Sequence, residues 1–225
     1  MSQAIWLIMY DIASENKDKY LNWFHDVHMP EKLARPGYTW AAHYEVVGED
    51  SGARRLDGSV SDGQRGFVAF FGGEDTRTFL NPSPVQIKPT QPPLAREMMG
   101  CRINSQMLIA TEEWRSEAVG GDGPSFANLS LTVSSVDGND EDYGGWCIQT
   151  YLPSVSEASG FEVSAKFIAT TAPGTHVLVA SFASVAEAAG GFRGNSKDYW
   201  SQRVRAYQNH STGSPLLLQC ISRQS

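Results

Sequence analysis

Residues 22–45, NWFHDVHMPEKLARPGYTWAAHYE, lie over residues 145–168, GWCIQTYLPSVSEASGFEVSAKFI, without a gap at an offset of 123. Trp23 meets Trp146, Pro30 meets Pro153, Gly37 meets Gly160 and Ala42 meets Ala165. Met29 falls on Leu152, Tyr38 on Phe161 and Tyr44 on Phe167. Most of the identities are Trp, Pro or Gly, residues whose backbone or packing demands tie them to a position. The same offset lays Ile5–Tyr10 over Asn128–Val133, two segments that both read as strands. The chain reads as a tandem duplication.

Each half carries the same order of signals. Ile5–Tyr10 is β-branched and aromatic, hence a strand. In Asp18–Val27 the apolar residues Tyr20, Leu21, Phe24 and Val27 recur at helical spacing. Pro30 can open a further turn, and Pro36-Gly37 ends it. Strands follow at Tyr38–Val47 and Gly66–Phe71, separated by the polar loop Ser51–Gln64. A short helix near Asp75–Leu80, a proline-rich stretch from Pro82 to Pro93 and a strand at Ile103–Thr111 complete the half. The second half reads Phe126–Val133, a helix near Glu141–Tyr151, Phe161–Thr170, His176–Phe182, a helix within Val185–Tyr207, and Pro215–Ile221.

The order β-α-β-β-α-β, twice over, is the split βαβ or ferredoxin-like plan of the α+β class. It predicts a repeat at 1–115, a glycine-rich linker at 116–124 and a repeat at 125–225. A four-stranded sheet covered by helices on one face needs a cover for the other, so two repeats are expected to close an intrachain, pseudo-dimeric α+β barrel.

Composition narrows the functions. Eighteen basic against twenty-five acidic residues give a net charge of −7, with no basic run, which argues against nucleic acid or an anionic membrane as partner. The longest apolar run, Ala4–Tyr10, is too short to span a bilayer. Cys101, Cys147 and Cys220 form no CxxC pair and cannot all pair within the chain, which fits a reducing, cytoplasmic setting. No G-x-S-x-G elbow, P-loop or GxGxxG is present.

Strand alternation predicts which residues face a cavity. On the second strand Tyr38, Trp40, Ala42, Tyr44 and Val46 form an apolar face, expected under the helices. His43 and Glu45, with Lys166 on the matching strand, share the mixed face, expected to look across the gap between the sheets. A space of this kind suits a small hydrophobic organic substrate. The densest chemistry lies in Trp23–Glu31, where His25 and His28 stand at i, i+3. Histidine is the side chain most readily poised for proton transfer near neutral pH. A metal set of His25, His28 and His43 with Glu31 or Asp11 lacks a diagnostic spacing, and His176 or His210 are the candidates for a haem axial ligand. Neither motif is specific, and no cofactor or metal is expected.

The run Tyr20-Leu21-Asn22-Trp23-Phe24, then His28-Met29-Pro30-Glu31-Lys32-Leu33 and Pro36-Gly37-Tyr38, resembles the signature of EthD-like proteins, members of the dimeric α+β barrel superfamily. Asn81-Pro82-Ser83-Pro84 also resembles the segment after their second helix. His28 falls on the family histidine and His25 does not match a typical family residue. In the second half Tyr151 stands where His28 would repeat and Ser154 replaces Glu31. The superfamily includes cofactor-free monooxygenases, lactone isomerases, polyketide cyclases or dehydratases, decarboxylases and haem enzymes, so the resemblance implies a fold and leaves the reaction open.

The expected function is a cofactor-independent acid/base enzyme of lyase, dehydratase, decarboxylase or isomerase type, acting on a small hydrophobic carbonyl or aromatic compound. His28 is the expected acid or base, with His43 and Asp11 assisting, and His25, Glu45, Tyr151 and Lys166 binding substrate. A cofactor-free monooxygenase and a non-catalytic ligand-binding or stress protein are the alternatives. Exposed sheet edges suggest a homodimer.

Overall fold

The computed structural model describes residues 4–47, 66–119, 123–191, 198–211 and 214–225. They divide into two compact units: residues 4–45, 66–111 and 221–225 in the first, and residues 46–47 and 112–220 in the second. The loop expected at 51–64 and the middle of the expected linker lie outside the described residues.

The first unit begins with β1 (Ala4–Ile12) and α1 (Ser14–Trp23). The helix widens into a π turn over Phe24–His28, then continues as α2 (Met29–Leu33). β2 (Tyr38–Val46) and β3 (Phe67–Gly73) follow, then α3 (Arg77–Leu80), α4 (Pro84–Ile87), α5 (Pro93–Gly100) and β4 (Arg102–Arg115). The strands are antiparallel in the order β4-β1-β3-β2, the ferredoxin-like arrangement. The proline-rich stretch contains α4 and leads into α5. Pro84 and Pro93 open these two helices, where a missing N–H costs nothing.

The second unit repeats the plan: β5 (Asn128–Ser135), α6 (Asp140–Trp146), a π turn at Cys147–Tyr151, α7 (Leu152–Ser156), β6 (Phe161–Ala169) and β7 (Thr175–Phe182). Then come α8 (Val185–Gly191), α9 (Tyr199–Tyr207), the two-residue β8 (Asn209–His210) and β9 (Leu216–Gln224). β9, β5, β7 and β6 pair in that antiparallel order, and β8 adds to the end of β5.

The duplication is visible residue by residue. The π turns, α2 and α7, and β2 and β6 each start and end 123 residues apart. Both strands carry an irregularity two residues in, at Tyr38/Trp40 and Phe161/Val163. Gly37 and Gly160 precede them at φ +85° and +68°, a conformation that disfavours a side chain. The π turns follow from Pro30 and Pro153. A proline ring clashes with the carbonyl four residues back, and a wider turn relieves the clash. Met29 accordingly donates to the Phe24 carbonyl, and Leu152 to that of Cys147.

Two sequence expectations are corrected. First, β1 and β5 correspond at 124, not 123. Trp6, Ile8 and Tyr10 pack into the first helix–sheet core, and Tyr10 stacks edge-on to Tyr20 just as Ser134 bonds Tyr143. A one-residue slip reverses every face of a strand. Second, His43 and Glu45 lie on the helix side of β2: His43 is 4.6 Å from the Phe24 ring and Glu45 pairs with Lys17 of α1. Lys166 likewise lies beside Gly144 on α6. The polarity argument failed because both faces of β2 are buried, Ala42 and Tyr44 on one and Ala41 and His43 on the other.

Candidate active site

The helix–sheet layer of the first unit gathers the titratable side chains. His25 projects from the π turn, where the wider turn and Pro30 leave its carbonyl without a helical partner. Gln224 Nε2 fills that place at 2.9 Å. Its ring Nε2 lies 2.8 Å from Nδ1 of His43, and Nε2 of His43 lies 2.8 Å from the Tyr10 hydroxyl. His43 is fully buried and His25 half-buried, so the three form a chain from the surface into the core. The Tyr20 hydroxyl follows beside Tyr10, and Arg102 Nε donates to it at 2.7 Å.

Burial, then the neighbouring His25 and Arg102, hold the His43 imidazole well below its usual range. His25 is also lowered, chiefly by burial, and Asp26 opposes the shift. Burial pushes both tyrosines up. Near neutral pH both rings are therefore neutral. In one arrangement His25 Nε2–H donates to His43 Nδ1 and His43 Nε2–H donates to Tyr10, which leaves His25 Nδ1 free to accept a proton. Reversing each donor gives the other arrangement.

The remaining expected residues are distributed differently. His28 is 4% exposed, packed 4.7 Å from the Trp23 ring and 5.2 Å from Phe24, with its Nε2 buried and unpartnered. Burial, Lys32, Arg102 and Arg35 keep it well below the usual histidine range. Asp11 accepts from the Gly66 amide, and Glu45 pairs with Lys17 at 2.8 Å. Tyr151 and Lys166 belong to the second unit. Tyr151 stacks on Trp146 at 4.9 Å, in the place that His28 takes beside Trp23, and borders a hollow of ≈ 10 Å³ with Ser130, Thr132 and Leu178. That is room for about one water. Lys166, in the place of His43, is fully buried and ion-paired with Glu113. Ile148 and Ser134 hold the places of His25 and Tyr10, so this unit has no such chain of rings.

Among the described residues no three His, Cys, Asp or Glu side chains come together as a metal ion requires, so His25, His28 and His43 do not converge with Glu31 or Asp11. His176 pairs with Asp140 at 3.0 Å, and Cys101, Cys147 and Cys220 form no disulfide. No described helix is long and apolar enough to cross a membrane. Tyr10, Tyr20 and Arg102 had not been singled out from sequence. A correct register for β1 would have placed Tyr10 with the helix-facing residues.

No family model and no curated protein matches the sequence. Solved structures do. An anthrone oxidase-like protein superposes with a TM-score of 0.68 at 11% identity, over 100% of this chain and 95% of that one. A putative monooxygenase from Fusobacterium nucleatum gives 0.61 at 6%, over 99% and 94%. A mutant chlorite dismutase from Candidatus Nitrospira defluvii, in complex with cyanide, gives 0.56 at 10%, over 98% and 91%. At such identities the likeness shows the fold. It is the ferredoxin-like α+β fold expected from the repeats.

Proposed function

We propose that this protein is a cofactor-independent, cytoplasmic enzyme, related to EthD-like proteins, that begins by removing a proton from a small, largely apolar carbonyl or aromatic compound. The chain His25–His43–Tyr10 carries the reading. His25 Nδ1 accepts the proton, and the resulting charge is shared with His43, which Tyr10 holds in place. An acid/base pair of this kind supplies about 10²–10⁴-fold in rate. The carbanion or enolate left behind is reprotonated elsewhere or expels a leaving group, as in an isomerase or lyase.

A second reading is favoured by the similar structures, one called anthrone oxidase-like and another a putative monooxygenase. The same carbanion would then react with dioxygen. Anthrone and benzoylacetone, incubated in D₂O under nitrogen and then in air, separate the readings. Turnover without oxygen supports the first, and consumption only in air supports the second; deuterium exchange under nitrogen reports the proton removal that both share. His25→Ala should slow either reaction by about 100-fold or more. A change within about twofold, or both compounds recovered without exchange, would refute the proposal.

A further inference from the structure

We infer that Gln224 is a positioning residue of the His25–His43–Tyr10 chain, holding the His25 backbone so that its ring meets His43 and still presents Nδ1 outward. The catalytic part of this inference rests on the reading above, and the clamp itself does not. The sequence leaves one acceptor in this turn without a helical donor. In an α-helix the His25 carbonyl would take the Met29 N–H. Across the π turn Met29 donates to Phe24 instead, and the next nitrogen belongs to Pro30, which carries no hydrogen. Gln224 Nε2 donates to that carbonyl at 2.9 Å. A carbonyl only accepts, so the amide must offer its NH₂ group, and its orientation is fixed. The side chain is partly buried and comes from β9, whose last residues belong to the same unit as His25. Strand backbone therefore anchors this donor, as it would not anchor a water in the same place.

The second unit separates making the turn from aiming the residue. Leu152 donates to Cys147, and Pro153 leaves the Ile148 carbonyl in the position of His25's. Among the described residues no side chain donates to Ile148, yet that π turn is formed. Proline alone thus sets the turn, and Ile148 has no polar group to aim. His25 does, with its Nε2 2.8 Å from Nδ1 of His43. Its ring is half-buried, so water competes with His43 for it. A ring whose backbone is already held loses less freedom in making that bond. An amide supplies the hold without charge. Burial lowers the His25 pKa and Asp26 opposes the shift. The other charged or titratable groups on the elements that meet His25 are His43 and Glu45 of β2, Lys17 of α1, His28 of the same turn and Arg223 beside Gln224. A ring released to water should return toward the ordinary histidine value.

The test is a pH titration of the isotope-labelled whole protein, following the imidazole nitrogens by NMR, with His25 assigned from the H25A spectrum. Q224M keeps the length of the side chain and removes the donor; Q224K keeps a donor and adds charge. In Q224M the His25 pKa should rise toward about 6.5, by about half a unit or more. Q224K should hold it at or below the wild-type value, because a nearby cation disfavours the imidazolium. Q224M should also slow deuterium exchange of benzoylacetone under nitrogen by about tenfold or more, the penalty of a misplaced base. A role in packing alone would leave the His25 titration unmoved. A His25 pKa unchanged in Q224M, or raised equally in Q224K, would overturn the clamp. Exchange slowed by H25A, with the His25 signals unmoved in Q224M, sinks the clamp and spares the relay. Signals moved in Q224M, with exchange indifferent to H25A, sink the relay and with it the catalytic role of Gln224.

Discussion

Replacing Tyr10 by phenylalanine removes one hydroxyl and no ring. His43 is fully buried and loses its 2.8 Å partner, so its Nε2 is stranded. An unsatisfied buried polar group costs about 1–3 kcal/mol. For a chain of this size each kcal/mol shifts Tm by about 2–4 °C, so Y10F should lower it by about 2–12 °C. H43F takes one partner from the Tyr10 hydroxyl, which keeps the Tyr20 hydroxyl, so it should cost less than Y10F. The other partner of His43, His25, is half-buried and can turn to water. The double variant Y10F/H43F strands neither group, so it should cost about 1–2 kcal/mol less than the sum of the two single changes. Any misfit of phenylalanine at position 43 appears in both H43F and the double variant and cancels in the cycle. Urea unfolding at pH 7.5, where both rings are neutral, measures all four proteins, provided that their m-values agree. Additivity within about 0.5 kcal/mol would show that the two groups are not coupled, and the relay would be refuted.

Acid should weaken the fold earlier than carboxylates alone would make it. The pKa values of His28 and His43 are lowered in the folded protein, so the unfolded chain binds protons that the native state refuses. Stability is fully present above about pH 6.5 and falls below it, by up to about 1.4 kcal/mol per pH unit for each ring. Urea midpoints between pH 7.5 and 5 should show this slope, and H43F should lose one ring's share of it. In the second unit, E113Q leaves the fully buried Lys166 ammonium without its partner, whereas K166M removes the charge and leaves a carboxylate that is 42% exposed. E113Q should therefore destabilise by about 3 kcal/mol and K166M by clearly less; the opposite order in denaturant titration would be evidence against the pairing. At Gly160 a Cβ would lie 2.2 Å from a Glu187 carboxylate oxygen on a backbone at φ +68°. G160A should cost about 1–3 kcal/mol, and adding E187A should recover only the steric part, since the positive φ remains.

The fold was legible because the duplication rests on residues that constrain backbone geometry. Pro30 and Pro153 set the π turns, and Gly37 and Gly160 set the entry to β2 and β6. Hydrophobic alternation was less reliable. It distinguishes faces only when one of them is wet, and Tyr44 is as hidden as His43. That is why His43 was assigned to the wrong side of its strand, and why a slip of one residue in β1 kept Tyr10 out of view. The histidine-rich run at 25–28 did point to the right segment. What sequence spacing cannot supply is the wider turn, which places His25 against His43 and leaves His28 packed against Trp23. Arg102 stood little chance of notice, because it lies at the start of the last strand of its repeat, 82 residues from the tyrosine it bonds.

Comparison of the two repeats separates what both keep from what one alone has. Trp23 with His28 and Trp146 with Tyr151 are equivalent ring contacts, at 4.7 and 4.9 Å. Tyr20 and Tyr143 are both tyrosines, and each has a polar partner on the neighbouring strand layer. The ring-to-ring contacts thus survive even where His28 has become Tyr151, since an aromatic of similar breadth fills the space. The positions of His25, His43 and Tyr10 hold Ile148, Lys166 and Ser134, and no two of these could pass a proton as the originals can. Lys166 instead needed a new counterion, which Glu113 provides. The two copies therefore share the tyrosine and the Trp–aromatic pair, while the His25–His43–Tyr10 chain exists in one only; Phe24, which flanks His43, is Cys147 in the other copy, so the packing around the chain has changed together with its hydrogen-bonding members.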